Sequence, residues 1–153
     1  MNERYTQMKN RHQGEVNALP LMFAFSRDQF EEGCRKLGVT DPKTELYKMG
    51  DNGTFYRKAD SKLIWDTFRR HDAEMTEAMK DEDFAVDAFE YEAGNHEFHI
   101  NLDPHFDMGN CFGYPTEHRD GYGVILWEKV PNGEFLQKCY DKGVRKFLAH
   151  AQY

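Results

Sequence analysis

The segment Asp81–Asn95, DEDFAVDAFEYEAGN, decides how this chain folds. Its opening trio Asp81-Glu82-Asp83 suits the positive end of a helix dipole. Phe84, Ala85, Val86, Ala88, Phe89 and Ala93 then make the helix apolar around most of its circumference, and Gly94-Asn95 is expected to end it. Such a helix is too apolar to be surface decoration.

Upstream of it, Ile64, Phe68, Met75 and Met79 share one face of a helix that Asp60 or Ser61 can cap, running to about Lys80. Glu45–Met49 and Thr54–Arg57 flank the turn formers Gly50-Asp51-Asn52-Gly53, which predicts a hairpin. Leu19–Phe25 reads as a short buried strand. Ser26 with Gln29 has the capping-box spacing, Phe30, Cys34 and Leu37 repeat at helical intervals, and Gly38-Val39 supplies a left-handed stop. Residues 1–15 are polar and read as a peripheral helix.

Downstream, Phe98, Ile100 and Leu102 alternate with Glu97, His99 and Asn101, the pattern of a half-buried strand. Breakers from Gly109 to Gly121 predict an irregular stretch over 103–121. Gly123–Val130 reads as a central strand. Phe135/Leu136, Cys139/Tyr140, Val144 and Phe147/Leu148 mark a final helix with Lys142, Arg145 and Lys146 outside. Hairpins and long connections without regular βαβ alternation predict an α+β fold. The expected architecture is a single domain over 1–153, an antiparallel or mixed sheet of about five strands packed with four to five helices.

Composition sets the class. Twelve Phe and eight Tyr in 153 residues argue against disorder. No apolar run reaches the length of a membrane span, and the first fifteen residues lack the apolar core of a secretion signal. Three widely spaced cysteines fit free thiols in a reducing compartment, so a cytoplasmic protein is expected. A net charge of −7 disfavours direct nucleic-acid binding.

That charge is unevenly spread. Asp72–Asp107 holds twelve carboxylates against Lys80 alone, a sum of −11, which leaves +4 for the rest of the chain. Such asymmetry steers partners. Within the block, Asp83, Asp87 and Glu90 return to one helix face and form a carboxylate stripe. At ~1.5 Å rise per residue they carry one charge per ~3.5 Å, close to the ~3.4 Å phosphate spacing of one DNA strand. The stripe can therefore imitate phosphates toward a basic nucleic-acid-binding protein, or dock a basic protein without mimicry. It can also be the wet side of a buried helix, and the basic final helix can neutralise it from within.

Four of the seven histidines fall in segment 96–118 with Asp103, Asp107, Cys111 and Asp120, so every common ligand type for a divalent metal such as zinc is present. His99, His105 and His118 are the candidate ligands. His96 would point away from His99 on a strand, and the spacing matches no metalloprotease helix. No cofactor is otherwise implied. The long loop also offers Tyr114, Arg119 and Tyr122 as a recognition surface, since aromatic and Arg anchors dominate interfaces. Nucleotide loops, nucleophile elbows and CxxC pairs are absent from the sequence, and no catalytic residue is assigned.

LPLMFAFSRDQFEEGCRKLGV, GTFYRKADSKLIWDTFRRHD and FEYEAGNHEF resemble a group of short uncharacterised bacterial proteins of phages and conjugative elements, over about residues 17–98. The resemblance rests on Phe55-Tyr56-Arg57-Lys58 and Asn95-His96-Glu97 and implies an accessory role on a mobile element, with no activity attached. Inhibitors of host nucleases are one type of such accessory. The chemistry read from the residues is thus binding of a protein partner through the acidic helix and adjacent loop, with metal binding as the alternative.

Overall fold

The computed structural model describes residues 3–151. It is an α+β protein; among the described residues seven α-helices accompany two small antiparallel sheets. The chain forms two compact units, Asn10–Glu74 on one hand and Met1–Lys9 with Met75–Tyr153 on the other. The first is called the sheet unit and the second the helical unit. Two helices, α1 (Arg4–Asn17) and α4 (Ser61–Ala78), contribute residues to both.

In the sheet unit, β1 (Leu21–Phe23), β2 (Leu46–Met49) and β3 (Thr54–Arg57) lie in the order β1-β3-β2. Tyr56 stands opposite Leu21 on one side and Tyr47 on the other. Helix α2 (Arg27–Leu37) begins where Ser26 Oγ accepts from the Gln29 backbone N–H at 3.2 Å. The Gln29 side chain reaches back to accept from the Phe25 N–H at 2.7 Å, one residue earlier than a standard capping box. Gly38 ends the helix in the left-handed region at φ +69°. A short helix, α3 (Pro42–Glu45), precedes β2. Met22, Cys34 and Val39 form this unit's buried cluster. Asp60 does not cap α4; Arg57 takes its carboxylate at 2.6 Å inside a 3-10 turn over Lys58–Asp60.

The helical unit is built around α5 (Glu82–Asn95). Asp81 caps it by accepting from the Phe84 N–H at 3.0 Å. Phe84, Ala85, Ala88, Phe89 and Ala93 are all but fully buried, as the circumferential pattern requires. The final helix, α7 (Gly133–His150), packs along it. Gly143 makes the closest approach: a Cβ there would meet Val86 O at 2.7 Å and Phe89 Cβ at 2.8 Å. Only a missing side chain allows the two backbones to come that near.

Three expectations fail beyond α5. Residues 98–102 form no strand. Glu97 adopts φ +50°, Phe98 N–H donates to Ala93 O at 2.9 Å and Glu97 N–H to Gly94 O at 3.1 Å. Those two bonds are a Schellman closure with a glutamate in the left-handed position, so the alternating residues ride a turn. Residues 104–111 are not irregular but form α6 (Pro104–Cys111), with proline at its start after Asp103. Gly123–Val130 is not a central strand. Among the described residues β5 (Tyr122–Ile125) pairs only with β4 (Thr116–Arg119), in a hairpin turned at Asp120-Gly121, both at positive φ. A 3-10 turn over Trp127–Lys129 follows.

Among the described residues no helix is long and apolar enough to cross a membrane.

Candidate functional site

The acidic stripe does not survive folding as an exposed row. Asp83 is exposed, but Asp87 is 6% exposed and Glu90 is largely covered. At Glu90 the cover comes from α7, which packs along α5 and brings its basic side with it. Lys142 pairs with Glu82 at 3.2 Å and Lys146 faces Glu90 at 3.9 Å. Across the whole block, at least six of the twelve carboxylates face a Lys or Arg: Glu74, Glu77, Asp81, Glu82, Glu90 and Glu92. The −11 of the segment is therefore not a single field.

The three histidines assigned to a metal go to different partners. His99 lies tilted against Phe147, His105 Nδ1 shares a hydrogen bond with the Tyr140 hydroxyl at 2.8 Å, and His118 Nε2 meets Asp103 at 2.6 Å while stacking on Phe106. Burial holds His105 below the ordinary imidazole range. Of the loop residues, Tyr114 belongs to the core beside Phe89, Phe112 and Trp127, and burial pushes its hydroxyl up. Arg119 and Tyr122 are exposed at the hairpin end, Arg119 bonded to Glu117.

Two arrangements stand out in their place. The first is a display surface. Leu102 is 100% exposed and Tyr122 75% exposed, and Ile100 is also largely in solvent. Their supports are fixed by a short network. Asn101 donates to His96 O at 3.0 Å and to Asp107 at 2.9 Å, and its carbonyl oxygen Oδ1 accepts from the Asp103 N–H at 2.8 Å. Asp103 then accepts from the Gly123 N–H at 3.0 Å, joining the residue after Leu102 to the residue after Tyr122. A Cβ at Gly123 would lie 2.3 Å from the Asp103 carboxylate, so glycine permits this clamp.

The second is a buried charge. Glu92 is 1% exposed on α5, on the side that faces α1 and α6. Lys9 Nζ donates to its two oxygens at 3.1 and 3.4 Å, Cys111 Sγ donates at 2.9 Å, and Asn95 donates at 3.4 Å. Lys9 also lies over the rings of Tyr5 and Tyr91, 5.5 and 5.6 Å from their centroids. Burial first, and then the hydrogen bond and charge of Glu92, push the Cys111 thiol up to about 12. The same two causes, burial first, push the Tyr5 hydroxyl well above its usual range. Ligand atoms of Glu92, His96 and Cys111 all lie within 4.8 Å of one another, the one such group among the described residues. His96 reaches the cluster because the Schellman turn replaces the strand that would have aimed it elsewhere. Lys9 and Glu92 carried no sequence signal, being 83 positions apart.

The chain is a small α+β protein with an anchored apolar surface and a buried acid that meets a thiol and an imidazole at its edge. It belongs to DUF7659, a family of unknown function whose model matches residues 4–143. No curated protein and no solved structure matches it significantly.

Proposed function

We propose that this chain is a non-enzymatic cytosolic protein that binds another protein through the surface carrying Leu102, Arg119 and Tyr122. The observation that supports this most is a leucine in full solvent on a segment tied down at both of its neighbours. Scattered exposed apolar residues need no explanation, but Leu102 and Tyr122 flank the two ends of one hydrogen-bonded clamp. Preorganised anchors of this kind lower the ordering cost of association. Tyrosine and arginine, which stand opposite each other as Tyr122 and Arg119, are residue types that concentrate binding energy. Three free cysteines fit a reducing compartment.

This reading is preferred to phosphate mimicry, because burial of Asp87 takes the middle carboxylate of the stripe out of a partner's reach. An accessory role on a mobile element fits a binding protein of this kind. The test is affinity capture from the native host with three baits: the natural chain, Leu102→Asp with Tyr122→Ala, and Lys43→Glu as a matched surface control. The expected result is a protein retained by the first and third baits and lost from the second. A partner retained equally by all three contradicts the reading.

A further inference from the structure

We propose that Glu92, His96 and Cys111 form a binding site for a divalent transition-metal cation of the zinc type, and that Lys9 fills the cation position until the metal arrives. A carboxylate, an imidazole and a thiol are the donor set that suits zinc, and three protein donors leave a fourth position open to water. The donors are already gathered within 4.8 Å, so coordination at ~2.0–2.3 Å needs only a small closure of the set. Glu92 comes from the last turns of α5, His96 from its C-cap and Cys111 from the end of α6.

Charge supplies the second argument. A carboxylate that is 1% exposed needs a compensating cation, and Lys9 is a poor permanent one because its side chain is 39% exposed and strongly hydrated. A dication bound by a carboxylate and a thiolate is neutral as a unit, which removes the need for Lys9. The step balances simply. The metal–sulfur bond forms as the Cys111 S–H bond breaks, the proton passes to solvent, and Lys9 leaves for water still protonated. Among the described residues no hydrogen bond occupies the His96 ring, which leaves an imidazole nitrogen to donate. Cys111 is exposed as a residue and the Lys9 side chain is 39% exposed, so the site opens to solvent on the side that Lys9 covers.

The experiment is titration of the untagged, metal-stripped protein with Co2+ and then competition with Zn2+. One equivalent of Co2+ should give the near-ultraviolet absorption of a thiolate–cobalt bond, and Zn2+ should bleach it. Cys111→Ser should abolish the band, whereas Cys34→Ser and Cys139→Ser should leave it intact. Lys9→Met should tighten binding by roughly tenfold or more, because it removes a like charge from the site. Absence of a stoichiometric band, a band that survives Cys111→Ser, or Lys9→Met binding no tighter than the natural chain each overturns the proposal. Glu92→Gln is read beside these by circular dichroism, since a buried position can affect folding; folded Glu92→Gln binding as tightly as the natural chain also overturns it.

Discussion

Glu92 and Glu74 invite direct comparison, since each takes a cation from α1 and the two behave differently. Glu92 lies in the helical unit, sealed from solvent, with one lysine, one amide and one thiol on its oxygens. Glu74 lies in the sheet unit with its side chain 36% exposed, bonded to Arg11 at 2.5 Å and to His12 at 2.6 Å. The His12 ring stacks on His71, which is bonded to Glu15, with centroids 3.9 Å apart. Glu74 is better paired, yet solvent screens its pairs and can replace them. The sealed carboxylate has no water to fall back on, so its partners matter more.

The comparison can be broken by substitution. Lys9→Met leaves Glu92 sealed with no cation beside it, and should destabilise the metal-free protein by about 3 kcal/mol in a denaturant titration. Next in size is Gly143→Ala, where the added methyl meets the α5 backbone; about 1–3 kcal/mol of overpacking is expected, with α7 still helical by circular dichroism. Arg11→Met, on the exposed counterpart, should cost clearly less than Lys9→Met in the same titration. Leu102→Asp should leave stability within about 0.5 kcal/mol while removing the partner, which separates display from packing.

Acid sharpens the same contrast. Arg11 first and His12 second hold the Glu74 carboxyl well below its ordinary 4.5, to about 2. A depressed carboxyl contributes stability that is complete above pH 4.5 and is lost as the pH falls through about 2. Glu74→Gln should therefore flatten the stability–pH curve between pH 4.5 and 2 relative to the natural chain. An unchanged slope in that window contradicts the pairing.

What the sequence revealed follows from range. Ser26 with Gln29, Gly38, the Gly50–Gly53 turn and the apolar girdle of α5 act within a few residues, and each appears where the local pattern put it. The failures come from non-local choices. Phe98, Ile100 and Leu102 alternate perfectly, but no strand lies beside them, and Glu97 accepts a left-handed conformation usually given to glycine. Proline at the start of α6, after Asp103, is a local helix-start signal that the reading of 103–121 as irregular passes over.

The candidate site divides the same way. The spacing of Asp83, Asp87 and Glu90 is right for one helix face, but which of them stay in solvent is decided by tertiary packing, at Glu90 by α7, whose Lys146 lies 56 positions away. His96 and Cys111 lie in the histidine-rich segment singled out from the sequence, whereas Glu92 and Lys9 become partners only through tertiary packing. The histidines that were chosen, His99, His105 and His118, found other contacts.

The most direct test of Glu92 as a charge awaiting its cation is thermal unfolding of Lys9→Met with and without one equivalent of Zn2+. Without metal the variant should melt below the natural chain, and zinc should raise its midpoint by more than it raises that of the natural chain. A Lys9→Met midpoint that zinc does not move would contradict the account.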